Sequence, residues 1–143
     1  MIVVDASVAA KWVLPEPDSD KAEALYNDTI RGGEQILAPS LLRFEVANIL
    51  RQRMVRVGLA LGDADRLMAQ FLRFSVTLIT PPETHRHALA LADAHELRAA
   101  YDAHYIALAR LLGCELWTDD QRLLRQLGGA LPFVRALADY PGP

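Results

Sequence analysis

The sequence contains a single cysteine, Cys114, among its 143 residues. One thiol cannot form an internal disulfide, so we expect the protein to work in a reducing compartment, the cytoplasm. No stretch approaches the roughly 18 apolar residues that a membrane-spanning helix needs. No basic segment precedes a long apolar run at the start, so neither a signal peptide nor a membrane anchor is expected.

Lysine is also scarce, because 13 of the 15 basic residues are arginine, which favours bidentate contacts to phosphate or carboxylate. The net charge is −3, whereas nucleic-acid-binding proteins are more often basic. If a cation neutralised four of the 18 acidic residues, 14 would remain against 15 basic ones. Net charge therefore neither establishes nor excludes a nucleic-acid partner.

Length and a hydrophobic content of 52% predict one domain with one core, spanning residues 1–143. Helical segments are predicted at about 6–13, 20–30, 41–55, 63–74, 83–95, 102–112 and 119–127, with Asp63 capping the fourth. Strands are predicted at 2–5, 36–38, 76–79, 114–118 and, more weakly, 132–134. This alternation predicts an α/β fold with a mostly parallel sheet of about five strands and helices on both faces.

Asp5 draws attention because it directly follows the apolar run Ile2-Val3-Val4. An ionised carboxylate is costly to bury unless it is paired or bound to a cation. Asp119 and Asp120 follow a second predicted strand in the same way. Since ligands bind at the carboxyl ends of parallel strands, these acids are expected at one edge of the sheet.

Two further acids fall on the apolar faces of predicted helices. Glu45 lies between Leu41 and Ile49 on a helical wheel, and Asp102 shares an apolar arc with Ile106. Buried carboxylates repel one another unless a cation lies among them. Oxygen ligands favour a hard ion, so Mg²⁺ or Mn²⁺ is expected.

Four segments resemble, in order and spacing, the motifs of PIN-domain ribonucleases. They read VDAS at residues 4–7, LRFEVAN at 42–48, YDAHYIALA at 101–109 and TDDQRL at 118–123. The length and spacing are most similar to VapC toxins of bacterial and archaeal toxin–antitoxin pairs. The resemblance covers almost the whole chain and implies a three-layer α/β/α fold with a parallel five-stranded sheet.

The resemblance implies an acidic, metal-binding catalytic site made of Asp5, Glu45, Asp102 and Asp120. Ser7 and Thr118 match hydroxyl positions that support the site in the family. Asp119 occupies a variable place in the last motif, so either of the two adjacent acids could be the fourth ligand. One or two Mg²⁺ or Mn²⁺ ions would activate water for in-line attack on an RNA phosphodiester, leaving a 5′-phosphate and a 3′-hydroxyl. A homodimer and a cognate VapB-type antitoxin are implied as partners.

Other interpretations of single residues remain open. Asp5 or Asp102 could cap a helix, Glu45 could pair with an arginine, and Ser7 or Thr118 could bond only to nearby backbone. The four histidines do not form a ligand set, and His104 is expected to point outward. The arginines at positions 43, 51, 53 and 56 spread around one helix rather than forming a stripe for a phosphate backbone.

Specific residues argue for or against the alternative functions. A haloacid-dehalogenase-type phosphatase needs a second aspartate where this chain has Ser7, and a receiver domain needs one where it has Ile79-Thr80. A non-catalytic interaction domain is disfavoured because all four acids are present. A DNA-directed nuclease of the same fold is compatible with the same residues.

Overall fold

A computed structural model of the protein describes residues 1–142. The strands are β1 Ile2–Val4, β2 Ile36–Ala38, β3 Thr77–Leu78, β4 Glu115–Thr118 and β5 Val134–Ala136. The helices are α1 Ala6–Ala9, α2 Ser19–Arg31, α3 Leu42–Val57, α4 Leu61–Phe71, α5 Pro82–Ala94, α6 Ala100–Leu112 and α7 Gln121–Leu127. Short 3-10 turns occupy Ala10–Trp12 and Leu137–Asp139.

The five strands form one parallel sheet in the order β3-β2-β1-β4-β5, which confirms the predicted α/β fold. The chain moves from β1 outward to β3, then returns to the other side of β1 to form β4. With right-handed crossovers, this reversal places α1 to α4 on one face and α5 to α7 on the other. The reversal point lies between β1 and β4, where ligands bind in doubly wound sheets.

The core lies around the central strand. Val3, Val4, Leu116 and Ile106 are fully buried, so β1 is covered by its neighbour β4 and by α6. A strand buried on both faces explains why the sequence before Asp5 is continuously apolar rather than alternating. Within residues 1–142, the longest apolar helices fall short of what crossing a membrane requires.

Two element boundaries differ from the sequence-based expectation. Helix α4 begins at Leu61, so Gly62 lies inside it and Asp63 pairs with Arg66 in its first turn instead of capping it. Strand β5 begins at Val134, two residues later than predicted. Pro132 has no N–H to donate to a neighbouring strand, which is consistent with pairing that starts after it.

Candidate active site

The site is built where β1 and β4 end side by side. Val4 pairs with Trp117 in the parallel register, and the backbone N–H of Asp5 donates to the Trp117 carbonyl at 3.3 Å. Asp5 therefore leaves the sheet next to Thr118, the last residue of β4. Sheet pairing alone thus brings the first and last motifs together, as the sequence predicted.

Asp5 is held in a fixed orientation. Its Oδ1 accepts from the N–H groups of Ser7 at 3.0 Å and Val8 at 3.2 Å, so it caps α1. The Ser7 hydroxyl donates to the same oxygen at 2.6 Å, and the Thr118 hydroxyl donates to Oδ2. Capping and a place in an acidic centre are thus compatible.

The two hydroxyls also bind the segment after β4. The Asp119 N–H donates to Ser7 Oγ at 2.7 Å, and the Asp120 N–H donates to Thr118 Oγ1 at 3.0 Å. Ser7 and Thr118 thus connect Asp5 with both acids of the last motif. Each hydroxyl thus makes at least one hydrogen bond to the other segment, so neither is confined to bonds with nearby backbone.

Burial disfavours the charged form of Asp5. The residue is 8% exposed, and desolvation raises its pKa to about 6, although hydrogen bonds from Ser7 and Thr118 oppose the rise. Repulsion from Asp102 adds to the increase. A cation bound beside Asp5 would stabilise the charged form of its carboxylate.

Glu45 faces the same centre from α3. The pKa of Glu45 is raised to about 7, mainly by burial and to a smaller extent by like-charge repulsion from Asp5 and Asp102. The hydroxyl of Tyr105, a fully buried residue of α6, donates to Glu45 Oε2 and favours its charged form. Tyr105 was missed in the sequence analysis, although it falls on the apolar arc next to Asp102.

Asp102 and Asp120 form the open side of the centre. Burial raises the pKa of Asp102, and the charge of Asp120 raises it further. The Arg122 guanidinium opposes this rise, because its Nη2 lies 3.2 Å from Asp102 Oδ2 and 3.3 Å from Asp120 Oδ2. Asp120 Oδ1 caps α7 by accepting from the N–H groups of Arg122 and Leu123.

Asp119 points elsewhere. Its Oδ2 lies 2.9 Å from Nζ of Lys11, a lysine whose side chain is only 4% exposed. Lys11 also donates to the Pro17 carbonyl at 2.7 Å and lies 3.5 Å from Glu16. The structure therefore groups Asp120, not Asp119, with Asp102.

The histidines lie outside this centre. His104 Nε2 lies 3.0 Å from His85 Nδ1, and its Nδ1 lies 2.5 Å from the Ala100 carbonyl. His104 is half-buried between α5 and α6, so the expectation that it points outward was wrong. The helical wheel placed it away from the sheet but could not show that α5 covers that face.

The donor set fits a divalent cation by its chemistry. Carboxylate oxygens surround the end of β1, and the mutual repulsion of Asp5, Glu45 and Asp102 is what a hard cation would relieve. Among residues 1–142, no three acidic, histidine or cysteine side chains stand close enough to hold one ion without moving. Arg122 supplies the positive charge between Asp102 and Asp120 in this arrangement.

Comparisons with known proteins agree with this architecture. The family model for the PIN domain matches residues 2–129. The crystal structure of PAE2754 from Pyrobaculum aerophilum is 25% identical, with a TM-score of 0.69 over 96% of this chain and 90% of that one. The structure of Mycobacterium tuberculosis VapC20 (Rv2549c), described as a sarcin-ricin loop cleaving toxin, is 18% identical, with a TM-score of 0.66 over 94% of this chain and 99% of that one. No curated protein matches the sequence.

Proposed function

Because the chain belongs to the PIN domain family, we propose that it is an endoribonuclease that depends on Mg²⁺ or Mn²⁺ and cleaves RNA phosphodiesters. The observation that carries this proposal is the convergence of acids on the ends of β1 and β4. Asp5, Glu45, Asp102 and Asp120 come from four separate segments of the chain. These four residues are the proposed ligands and catalytic groups.

The protein's own residues prepare this centre. Ser7 and Thr118 fix the direction of both Asp5 oxygens, and Tyr105 fixes Glu45. One or two bound divalent ions would supply Lewis acidity, activating water and neutralising charge that develops on the phosphate. Asp102 and Asp120 have side chains that are 31% and 27% exposed, so they are more open to solvent than Asp5.

RNA as the substrate, and the role of a toxin in a toxin–antitoxin pair, are supported by the family resemblance of the four motifs. The likeness to VapC20, a sarcin-ricin loop cleaving toxin, supports the same choice. A cytoplasmic setting is part of the proposal and is compatible with the free thiol of Cys114. A DNA-directed nuclease and a non-catalytic interaction domain are the alternatives.

A homodimer and a VapB-type antitoxin complete the proposal. Large apolar side chains stand exposed on the helices, among them Phe44 at 77% and Leu61 at 71%. A contiguous patch of such side chains would mark a contact with another protein. A monomer by light scattering at micromolar concentration would contradict the dimer.

The decisive experiment is digestion of total cellular RNA with Mn²⁺, with and without EDTA, beside genomic DNA. The Asp5→Asn/Asp102→Asn protein is the inactive control, and Asp65→Asn, an exposed acid on α4, is its matched counterpart. We expect cuts at few RNA sites that vanish with EDTA and in the double variant but persist in Asp65→Asn. Equal cutting by the double variant would overturn the proposed site, and cutting of DNA alone would favour the first alternative.

A further inference from the structure

A groove of about 400 Å³ opens beside the acidic centre, with one face of α3 as its wall. The α3 residues that line it are Ile49, Gln52, Arg53, Arg56 and Val57. Their spacing of three and four residues places them on a single helix face. Arg53 and Arg56 share this face, whereas Arg43 and Arg51 lie outside the groove, so the four arginines spread around the helix as expected.

The inner end of the groove reaches the acidic centre through one residue. Ser7 lines the groove together with Asp119, and the Ser7 hydroxyl donates to Asp5 at 2.6 Å. A molecule lying in the groove would therefore end next to Asp5. A groove with this placement suits the part of a substrate adjacent to the reacting group.

One basic side chain at the groove has no acidic partner among residues 1–142. Lys11 pairs with Asp119 and Glu16, and Arg53 pairs with Glu16, so these two acids are neutralised by two bases. Arg56 is exposed and makes no ion pair with any residue between 1 and 142. Its guanidinium can therefore bind an anion from outside the chain.

From these observations we infer that the groove binds the nucleotide next to the cleaved bond, with its phosphate on Arg56. This inference rests on the proposed ribonuclease function. Ile49 and Val57 offer an apolar wall to the base or ribose, and the Gln52 amide can both donate and accept hydrogen bonds. RNA is favoured over a protein segment because the groove ends at Asp5 and carries surplus positive charge.

The test compares Arg56→Ala with Arg51→Ala. Arg51 is exposed on the same helix and lies outside the groove, so both changes remove one exposed arginine from α3. Both are made in the full chain with Asp5→Asn, in EDTA, so that RNA stays intact. Binding of a fluorescent single-stranded RNA 12-mer is measured by anisotropy over a series of salt concentrations.

Arg56→Ala is expected to weaken binding about fivefold, the size of one exposed ion pair. The slope of log K against log salt should fall by about 0.7, the value for one phosphate contact on a single strand. Arg51→Ala should leave both quantities unchanged. Equal effects of the two changes would overturn the inference, as would RNA binding that neither change alters.

Two further outcomes separate this inference from the function on which it rests. If the wild-type protein cuts RNA but Arg56→Ala alters only the oligomeric state, measured by light scattering, the groove is a protein interface and the inference fails alone. If the protein neither binds nor cuts RNA, the proposed function fails and the groove loses its assigned ligand with it.

Discussion

Replacing Asp5 with asparagine should change how the stability of the metal-free protein depends on pH. Asparagine keeps the shape of the side chain, and its carbonyl oxygen can still accept from the N–H groups of Ser7 and Val8. Its amide group can donate to Thr118 Oγ1, which now donates to Asp5. The substitution therefore removes a buried charge while retaining most hydrogen bonds.

The magnitude follows from the raised pKa of Asp5. The pKa of Asp5 moves from 3.8 in the unfolded chain to about 6 in the folded protein. At about 1.4 kcal/mol per pH unit, ionisation of this carboxyl group lowers the free energy of unfolding by about 3 kcal/mol. Asp5 is 8% exposed, so little of this penalty is removed by solvent.

The change of stability with pH has the opposite sign to that caused by a salt-bridged aspartate. Below the unfolded pKa both states hold the proton, and the group has no effect. Between pH 3.8 and about 6 the folded protein retains a proton that the unfolded chain has released, so stability falls as pH rises. Above about 6 the full penalty persists.

Urea unfolding in EDTA at several values between pH 4 and 8 measures this effect. The free energy of unfolding of wild type should fall by about 2.4 kcal/mol relative to Asp5→Asn across that range, because about 0.6 of the roughly 3 kcal/mol is already lost at pH 4. Asp65→Asn should run parallel to wild type, because Asp65 is exposed. Parallel curves for wild type and Asp5→Asn would refute the claim that the fold destabilises the Asp5 charge.

Bound Mn²⁺ should restore the stability that is lost when Asp5 ionises. At pH 8, Mn²⁺ at about a hundred times its Kd would add about 2.7 kcal/mol to the stability of wild type. Asp5→Asn should gain less at the same concentration, because it lacks one ligand oxygen with full charge. Equal gains would place the ion away from Asp5.

Three other changes test the surroundings of the centre. Tyr105→Phe removes the hydroxyl that favours the charged form of Glu45, whose pKa is already about 7. The affinity for Mn²⁺ should therefore fall at pH 7 and recover at pH 9. The matched control Tyr101→Phe, at an exposed position, should bind Mn²⁺ like wild type at both pH values. Lys11→Met should cost about 2 kcal/mol in urea unfolding, below the range for a fully buried pair because both acids that Lys11 contacts are partly hydrated. Lys21→Met removes a partly exposed ammonium that lies 3.8 Å from Asp18 and donates to the Ala138 carbonyl, and it should cost under about 1 kcal/mol. Arg122→Gln removes the positive charge between two proposed ligands and should tighten Mn²⁺ binding about fivefold by titration calorimetry; weaker binding would mean that the arginine supports the ion instead of competing with it.

The sequence alone predicts the sheet and singles out Asp5, Glu45 and Asp102, but it leaves open which of Asp119 and Asp120 joins them. Asp5 stands out because a buried strand runs straight into it, and Glu45 and Asp102 stand out because they interrupt apolar helix faces. These signals are local, so they survive without knowledge of the fold. The position of β5 and the start of α4 depend on tertiary pairing and differ from the local pattern.

Tyr105 could not be identified in the same way. An apolar face with a tyrosine predicts burial, and only the folded structure shows that its hydroxyl meets Glu45 from another helix. Arg122 is similar, because its position two residues after Asp120 leaves its direction undetermined. Residues that act on an acid from another segment carry no signature in their own segment.

The adjacent pair after β4 shows why a buried lysine matters for the site. Asp119 and Asp120 are chemically identical, yet the Lys11 ammonium can satisfy only the one that turns toward the Ala10–Trp12 turn. Once Asp119 is neutralised there, its N–H still binds Ser7 Oγ, which in turn binds Asp5. Lys11 therefore removes one negative charge from competition for a cation and fixes the hydroxyl that orients Asp5. Asp119, the acid of this ion pair, also lines the groove on α3, so the acidic centre and the proposed nucleotide site share one structural support.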